Sequence, residues 1–297
     1  MNRNITIGRK MFIIINVVII SAVTISCIIP IITLFCMSLS SSAAVDIGAV
    51  GLWPVDFTTD AYHLIMKNMK FWTSLKVTCE RLLLGVPINM LMVILAAYPL
   101  SKSVNVFKAR KYYIWFFVIT MLFGGGLIPT YIVVSKLTLV NTLWALVLPG
   151  AVPVFDVILL MNFFRSLPKE IEESALIDGA GQIRIMWSVF IPLSTPALAT
   201  ICLFVLVGHW NSWFDGLIYM NNQSLYPLQT YLQQIVTNTS ASFLATGDLQ
   251  DLISKFKVSD RNLRAAQLFV SMIPVLLVYP WLQKYFTTGI VMGSVKG

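Results

Sequence analysis

At 297 residues, with 57 % hydrophobic and only 11 % charged residues, the chain falls outside the soluble class, in which about a quarter of residues are charged. Its apolar runs are continuous rather than alternating, which excludes a β-barrel and leaves an all-α integral membrane protein with several spans. The net charge of +8 sits mainly in loops and at run ends, so it speaks for membrane orientation and not for nucleic acid.

In chain order, Arg9-Lys10 precedes a largely apolar stretch from Met11 to Phe35. That stretch is too long for a signal-peptide core, so a retained first span is expected. Further runs near 73–100, 112–134, 142–163, 194–220 and 265–286 raise the expected number of transmembrane helices to six, each needing roughly 20 apolar residues. The connection 36–72 contains an amphipathic piece, Ala61 to Phe71, whose aromatic and lysine content suits a helix lying on the membrane surface. Lys76 and Glu80 stand at i, i+4 and are expected to pair.

Gly124-Gly125-Gly126 followed by Pro129 predicts a break or sharp bend in the third span. No strand precedes these glycines and no Gly-Lys-Ser/Thr follows them, so they do not read as a phosphate cradle. Cys27, Cys36, Cys79 and Cys202 lack metal-ligand spacing and read as packing residues, and no metal site is expected. The polar connection 221–264, with its Asn238-Thr239-Ser240 sequon, reads as a solvated loop with short helices. The Lys/Arg bias is slight overall, but the compact cluster Lys102, Lys108, Arg110 and Lys111 places both termini and segment 164–193 in the cytoplasm. The chain reads as a single polytopic membrane domain over 1–297, with a core over 73–286.

Segment 164–193 is a polar elbow between hydrophobic runs. Ser166 can cap a helix whose first turn holds Pro168, with Glu170, Glu172 and Glu173 near its positive end. Ser174 and Ala175 are small and leave a shallow surface that another protein could approach. Gly179 permits a turn that other residues make only at a cost, and a second amphipathic helix over roughly 181–190 returns to the membrane at Pro192.

Glu173-Ser174-Ala175, Gly179 and Val189-Phe190-Ile191-Pro192 keep every spacing of the EAA loop of importer-type ABC permeases, which this elbow resembles. Ser174 replaces the first Ala of that signature, Val189 its Ile and Ile191 its Leu. Ile177-Asp178-Gly179-Ala180 has the form typical of the carbohydrate-uptake branch. Ala96-Ala97-Tyr98-Pro99-Leu100-Ser101-Lys102, Phe123 to Tyr131 and Asn141 to Ala145 resemble further segments of the same family. Gly208 to Phe214 and Gly289 to Gly297 resemble the subgroup handling oligosaccharides and polysaccharide fragments.

The resemblance implies a type I ABC importer permease fold in a bacterial cell membrane, with the elbow as a cytoplasmic coupling helix. It implies a heterodimer with a sister permease, two separate ATPase subunits and an extracellular or periplasmic solute-binding protein. The chain has no Gly-x4-Gly-Lys-Ser/Thr loop, so no cofactor is expected in it, and ATP and Mg belong to the ATPase partners. By the same resemblance Glu172, Glu173, Ser174, Ala175, Asp178, Gly179, Ala180 and Pro192 are the candidate ATPase-coupling residues. Glu173 would meet basic groups on the ATPase or cap the second elbow helix.

Trp210, Trp213, Phe214 and Leu217 follow i, i+3, i+4, i+7 and so fall on one face of a continuous fifth span. That face could stack on sugar rings, with Asn211 and Asp215 bonding hydroxyls, or it could pack between helices. His209 and Asp156 are ionisable groups inside spans, a functional signal by default. With no carboxylate–histidine ladder around them, a buried hydrogen-bonded role is the favoured reading. The chain is thus expected to be a transport subunit and not an enzyme, since HExxH and GxSxG are both missing. The competing readings are an ion-coupled secondary transporter, which would show paired mid-span acids and repeated halves, and an ABC permease for a non-sugar solute.

Overall fold

A computed structural model describes residues 7–237 and 259–294, which are helical with no strand among them. The sequon at Asn238 and much of the polar connection 221–264 lie outside the described residues. Helix α1 (Ile7–Ser38) has 32 residues, about 48 Å at 1.5 Å per residue, more than the hydrocarbon core requires. Short helices α2 (Ser42–Asp46) and α3 (Asp60–Lys67) follow, then the 33-residue α4 (Met69–Ser101). Next come α5 (Arg110–Leu122), α6 (Leu127–Lys136), α7 (Leu143–Val147), α8 (Val154–Ser166) and α9 (Lys169–Ile177). The remainder comprises α10 (Gln182–Leu193), α11 (Thr195–Asn211), α12 (Phe214–Tyr219), α13 (Leu228–Thr237) and α14 (Asp260–Ser294).

Among the described residues three helices are long and apolar enough to cross a membrane, and three bent pairs bring the number to as many as six. The expected break at the glycine cluster is present: α5 and α6 meet at 111°, and Gly126 adopts φ +83°. The α7–α8 pair bends by 48° over Pro149 and Pro153, and α10 meets α11 at 84°. At the α7–α8 bend the Asn89 side chain donates to the Gly150 carbonyl at 3.1 Å. It thereby partners a backbone acceptor that the prolines leave without an amide donor.

The chain divides into two compact units, 1–71 with 234–273, and 72–233 with 274–297. In the first, Asn262 closes the C-terminus of α1 by donating to the carbonyls of Met37 (2.8 Å) and Ser40 (2.7 Å), acceptors that a helix end leaves free. The surface helix expected over Ala61 to Phe71 is instead two helices broken at Asn68, whose side chain caps α4 through the amides of Lys70 and Phe71. Ala61, Leu64, Ile65 and Phe71 are buried by the protein itself, so this apolar face is not left for lipid.

In the second unit, the main core gathers Val93, Ala97 and Tyr98 of α4 with Leu160 and Phe164 of α8, Ile185 and Phe190 of α10, and Ile201 of α11. A smaller cluster joins Val134 and Leu146 to Tyr219 and Met220. Asn141, at φ +63°, ties these ends together: its amide donates to the Tyr219 carbonyl, and its side chain accepts from the Asn221 amide at 2.6 Å.

Candidate functional site

Two regions of the second unit carry the candidate residues. The first is the elbow, α9 and α10 with the turn between them. Pro168 precedes α9 at the cap position and no side chain caps that helix. Ser166 is therefore not the expected cap. It ends α8, and its hydroxyl bonds back to the Phe163 carbonyl at 2.7 Å. Gly179 takes φ +76°, a conformation that costs a side-chained residue roughly 1–2 kcal/mol. The amides of Gly179 and Ala180 then close α9 on the carbonyls of Leu176 and Ala175. Residues Met186–Phe190 of α10 form a π-helical turn, a local widening often found at functional sites. Pro192 lies inside α10, two residues before Ser194, where the 84° bend falls.

Glu172 faces inward: its Oε1 accepts from Lys102 Nζ at 2.6 Å. Lys102 is only 6 % exposed, and its ammonium lies 4.0 Å from the Tyr98 ring centre and 4.2 Å from that of Phe190. Tyr98, Phe164 and Phe190 meet one another edge to face, the arrangement aromatic quadrupoles favour. Two ring faces and one carboxylate thus hold one cation. Burial pushes the Lys102 amine below its ordinary range, and the hydrogen bond and charge of Glu172 oppose that shift. The Tyr98 hydroxyl donates to Gln182 Oε1 at 2.8 Å, so α4 also grips the start of α10.

Glu173, Ser174 and Asp178 are exposed, and Ala175 and Ala180 are half-buried against the core. Glu173 does not cap the second elbow helix, where no side chain bonds the terminal amides. Leu176, Ile177 and Ile183 are left in the open, Ile177 at 86 % exposure. The elbow therefore presents the carboxylates of Glu170, Glu173 and Asp178 and several apolar side chains outward while Glu172 anchors it from within.

The second region is a cleft of about 460 Å³ lined by Arg81, Asn89, Asp156, His209, Asp215 and neighbouring apolar residues. Arg81, 3 % exposed, forks onto Asp215 through both terminal nitrogens, and its Nε donates to His209 Nδ1 at 3.1 Å. His209 therefore accepts at Nδ1 and carries its proton on Nε2. The imidazole lies over Gly85, where an added Cβ would come within 2.6 Å of Nε2. Asp215 further accepts from the Ser212 hydroxyl and the Gly216 amide, each at 2.8 Å. Its carboxylate is thus occupied and not free for the sugar hydroxyls expected of it. Asp156 is 6 % exposed, and its carboxylate has no hydrogen bond or ion pair among the described residues.

The expected single aromatic face is not formed. Helix α11 ends at Asn211, Ser212 is extended, and α12 starts afresh at Phe214. The Asp215–Arg81 bonds and the seat of Gly216 against Thr230, where a Cβ would meet Oγ1 at 2.2 Å, hold that break in place. Trp210 is consequently buried at 5 % exposure, while Asn211, Trp213 (38 %) and Phe214 (46 %) are exposed. His209 has the buried, hydrogen-bonded setting that the sequence favoured. Its partner Arg81 was missed, although an arginine inside an apolar run is itself a signal.

The described residues are helical, with apolar helices long enough to cross a membrane and a polar elbow among them, which marks an integral membrane protein. No protein-family model matches the chain. It is 38 % identical over 271 residues to the polygalacturonan/rhamnogalacturonan transport system permease protein YtcP of Bacillus subtilis, covering 91 % of this chain and 93 % of that one. It is 35 % identical over 292 residues to protein LplC of the same organism, covering 98 % and 97 %. A chain in the crystal structure of a bacterial ABC transporter involved in the import of the acidic polysaccharide alginate superposes with a TM-score of 0.88 at 32 % identity, covering 96 % of this chain and 100 % of that chain. The chain belongs to the permease subunits of ABC importers, and it is a transport subunit rather than an enzyme.

Proposed function

We propose that the chain forms one half of the membrane pathway of an ATP-driven importer that carries an oligosaccharide or polysaccharide fragment into the cytoplasm. The observation that carries this reading is the elbow: a helix pair clamped to the transport core by Lys102–Glu172 and open on its other face. A rigid element anchored within and exposed without can take a push from an ATPase and pass it to α4. The carbohydrate named for YtcP and for the alginate importer supports the cargo class.

In this reading the three bent pairs each make one span, giving six, and both termini and the elbow face the cytoplasm of a bacterial cell. Glu173, Ser174, Leu176, Ile177 and Asp178 meet the ATPase, while Gly179 shapes the turn and Ala175, Ala180 and Pro192 seat the elbow on the core. A sister permease completes the pathway, two ATPase subunits hold ATP and Mg, and a solute-binding protein delivers the sugar. Trp213 and Phe214, exposed beside the cleft, are the favoured sugar contacts of this half, and Asn211 flanks them.

Purification in mild detergent tests the assignment. The chain should emerge in a stable complex with an ATPase and a second permease, and recovery as a functional lone subunit would contradict it.

A further inference from the structure

In the six-span reading the polar cleft of about 460 Å³ lies at mid-membrane depth. Asn89 and Asp156 on its wall stand about 18 Å and about 15 Å of helix from the elbow ends of α4 and α8. That is roughly half of a hydrocarbon core about 30 Å thick. Most polar groups of the cleft serve one another. Arg81 spends its nitrogens on Asp215, on His209 Nδ1 and on the Ser212 carbonyl. Asp215 also accepts from Ser212 and Gly216, and His209 Nε2 is buried against Gly85. Asp156 has no such partner among the described residues. It lines the cleft while only 6 % exposed, and its oxygens, unlike Asn89 Oδ1 on the same wall, are not sealed off. Arg81 and Asp215 cancel, and His209, accepting at Nδ1, is neutral. Asp156 therefore leaves the lining with an uncompensated negative charge.

A carboxylate held alone at this depth is costly, and hydrogen-bond donors entering the cleft would lower that cost. Sugar hydroxyls are such donors, and a hydrogen bond to a charged acceptor is among the stronger kinds. A uronate gains nothing there. Its own carboxylate would face Asp156 and find no free cation, since Arg81 is committed to Asp215 and His209. An unpaired charge of this kind is one way a site rejects a near relative of its ligand. Ser212 and Asp215, both on the cleft wall, bracket the exposed Trp213 and Phe214, so apolar ring surface adjoins the acceptor. We infer that Asp156 is a substrate contact of this half, binding the hydroxyls of an uncharged sugar and excluding acidic ones. The subsite rests on the chain being a carbohydrate permease. It sets the cargo apart from the acidic polysaccharide of the alginate importer.

The test uses the assembled importer, both permeases with the ATPase, in nanodiscs and without the solute-binding protein, whose own selectivity is thereby removed. The probes are tetragalacturonate and the same tetramer with each carboxylate reduced to a hydroxymethyl group. Saturation-transfer NMR titrations read their affinities at equilibrium, independently of transport, so a failure here would leave ATP-driven uptake and the permease assignment standing. The wild-type complex is expected to bind the neutral tetramer roughly tenfold more tightly than the uronate, the effect of one charge-assisted contact. Asp156→Asn should erase most of that preference by weakening the neutral sugar and admitting the acidic one. Gly208 lines the same cleft, and a Cβ added to it meets nothing within 4 Å. Gly208→Val should therefore fit and weaken the neutral tetramer several-fold by filling the cleft, which keeps the test open should Asp156→Asn fail to assemble. Equal or reversed affinities in the wild type, or no binding of the neutral tetramer, overturn the subsite. An unchanged preference in Asp156→Asn, or unchanged neutral binding in Gly208→Val, moves sugar contact away from this cleft and overturns it equally.

Discussion

Lys102 and Glu172, 70 positions apart, meet at 2.6 Å and join the end of α4 to the first helix of the elbow. The contact makes the glutamate just before the EAA residues an internal anchor, while Glu173 and Ser174 face outward. Lys102→Met would strand the Glu172 carboxylate in a partly buried site, a change that costs up to about 5 kcal/mol when one partner of a fully buried pair is removed. Because Glu172 keeps some exposure, the penalty should fall below that bound. The expected outcome is substrate-stimulated ATP hydrolysis with several-fold less uptake per ATP. The exchange Lys102→Glu with Glu172→Lys should recover part of the loss, and no recovery would reduce the pair to packing.

Gly179 tests the turn itself. An added Cβ meets nothing within 4 Å, so any penalty comes from φ +76° and not from a clash. Gly179→Val should therefore cost roughly 1–2 kcal/mol locally, leaving membrane insertion intact while uncoupling ATP hydrolysis from uptake. Gly179→Asn, better tolerated in the left-handed region, should be milder. Equal uptake by the valine variant and wild type would count against the elbow's role.

At the polar cleft, Gly85→Ala should displace His209, because the new methyl would lie 2.6 Å from Nε2 and 2.8 Å from Cε1. That displacement breaks the Arg81–His209 bond, and overpacking of this kind costs about 1–3 kcal/mol. Thermal unfolding of the detergent-solubilised complex should register the loss. Adding His209→Ala to Gly85→Ala should relieve the clash, and a strictly additive pair would refute this packing relationship.

The two tryptophans should separate. Trp210→Ala removes a buried ring and should lower protein abundance, consistent with about 3–5 kcal/mol for a buried tryptophan. Trp213→Ala should leave abundance near normal and weaken substrate-stimulated ATPase activity several-fold. Equivalent effects on abundance would make Trp213 a packing residue as well.

Much of this architecture was legible in the sequence because it rests on local physics. Apolar runs of spanning length mark the long helices, and Gly124 to Gly126 and Gly179 mark backbone turns that composition alone exposes. What escaped depends on distant pairing. Arg81 finds His209 and Asp215 across 128 and 134 positions, which no helical periodicity encodes. The same pairing explains the misplaced aromatic face: the i, i+3, i+4, i+7 pattern runs unbroken through Ser212, but Asp215 and Gly216 stop the helix there through tertiary contacts. Ser166 before Pro168 carries the composition of a cap, yet α8 extends far enough to keep its hydroxyl.

The most direct measurement is uptake by proteoliposomes holding this chain, its sister permease and the ATPase, with a labelled oligosaccharide presented by the solute-binding protein. Uptake should require ATP inside the vesicle, vanish when this chain is omitted, and fall with Gly179→Val while ATP hydrolysis continues. Uptake that proceeds on an ion gradient without ATP would contradict the account.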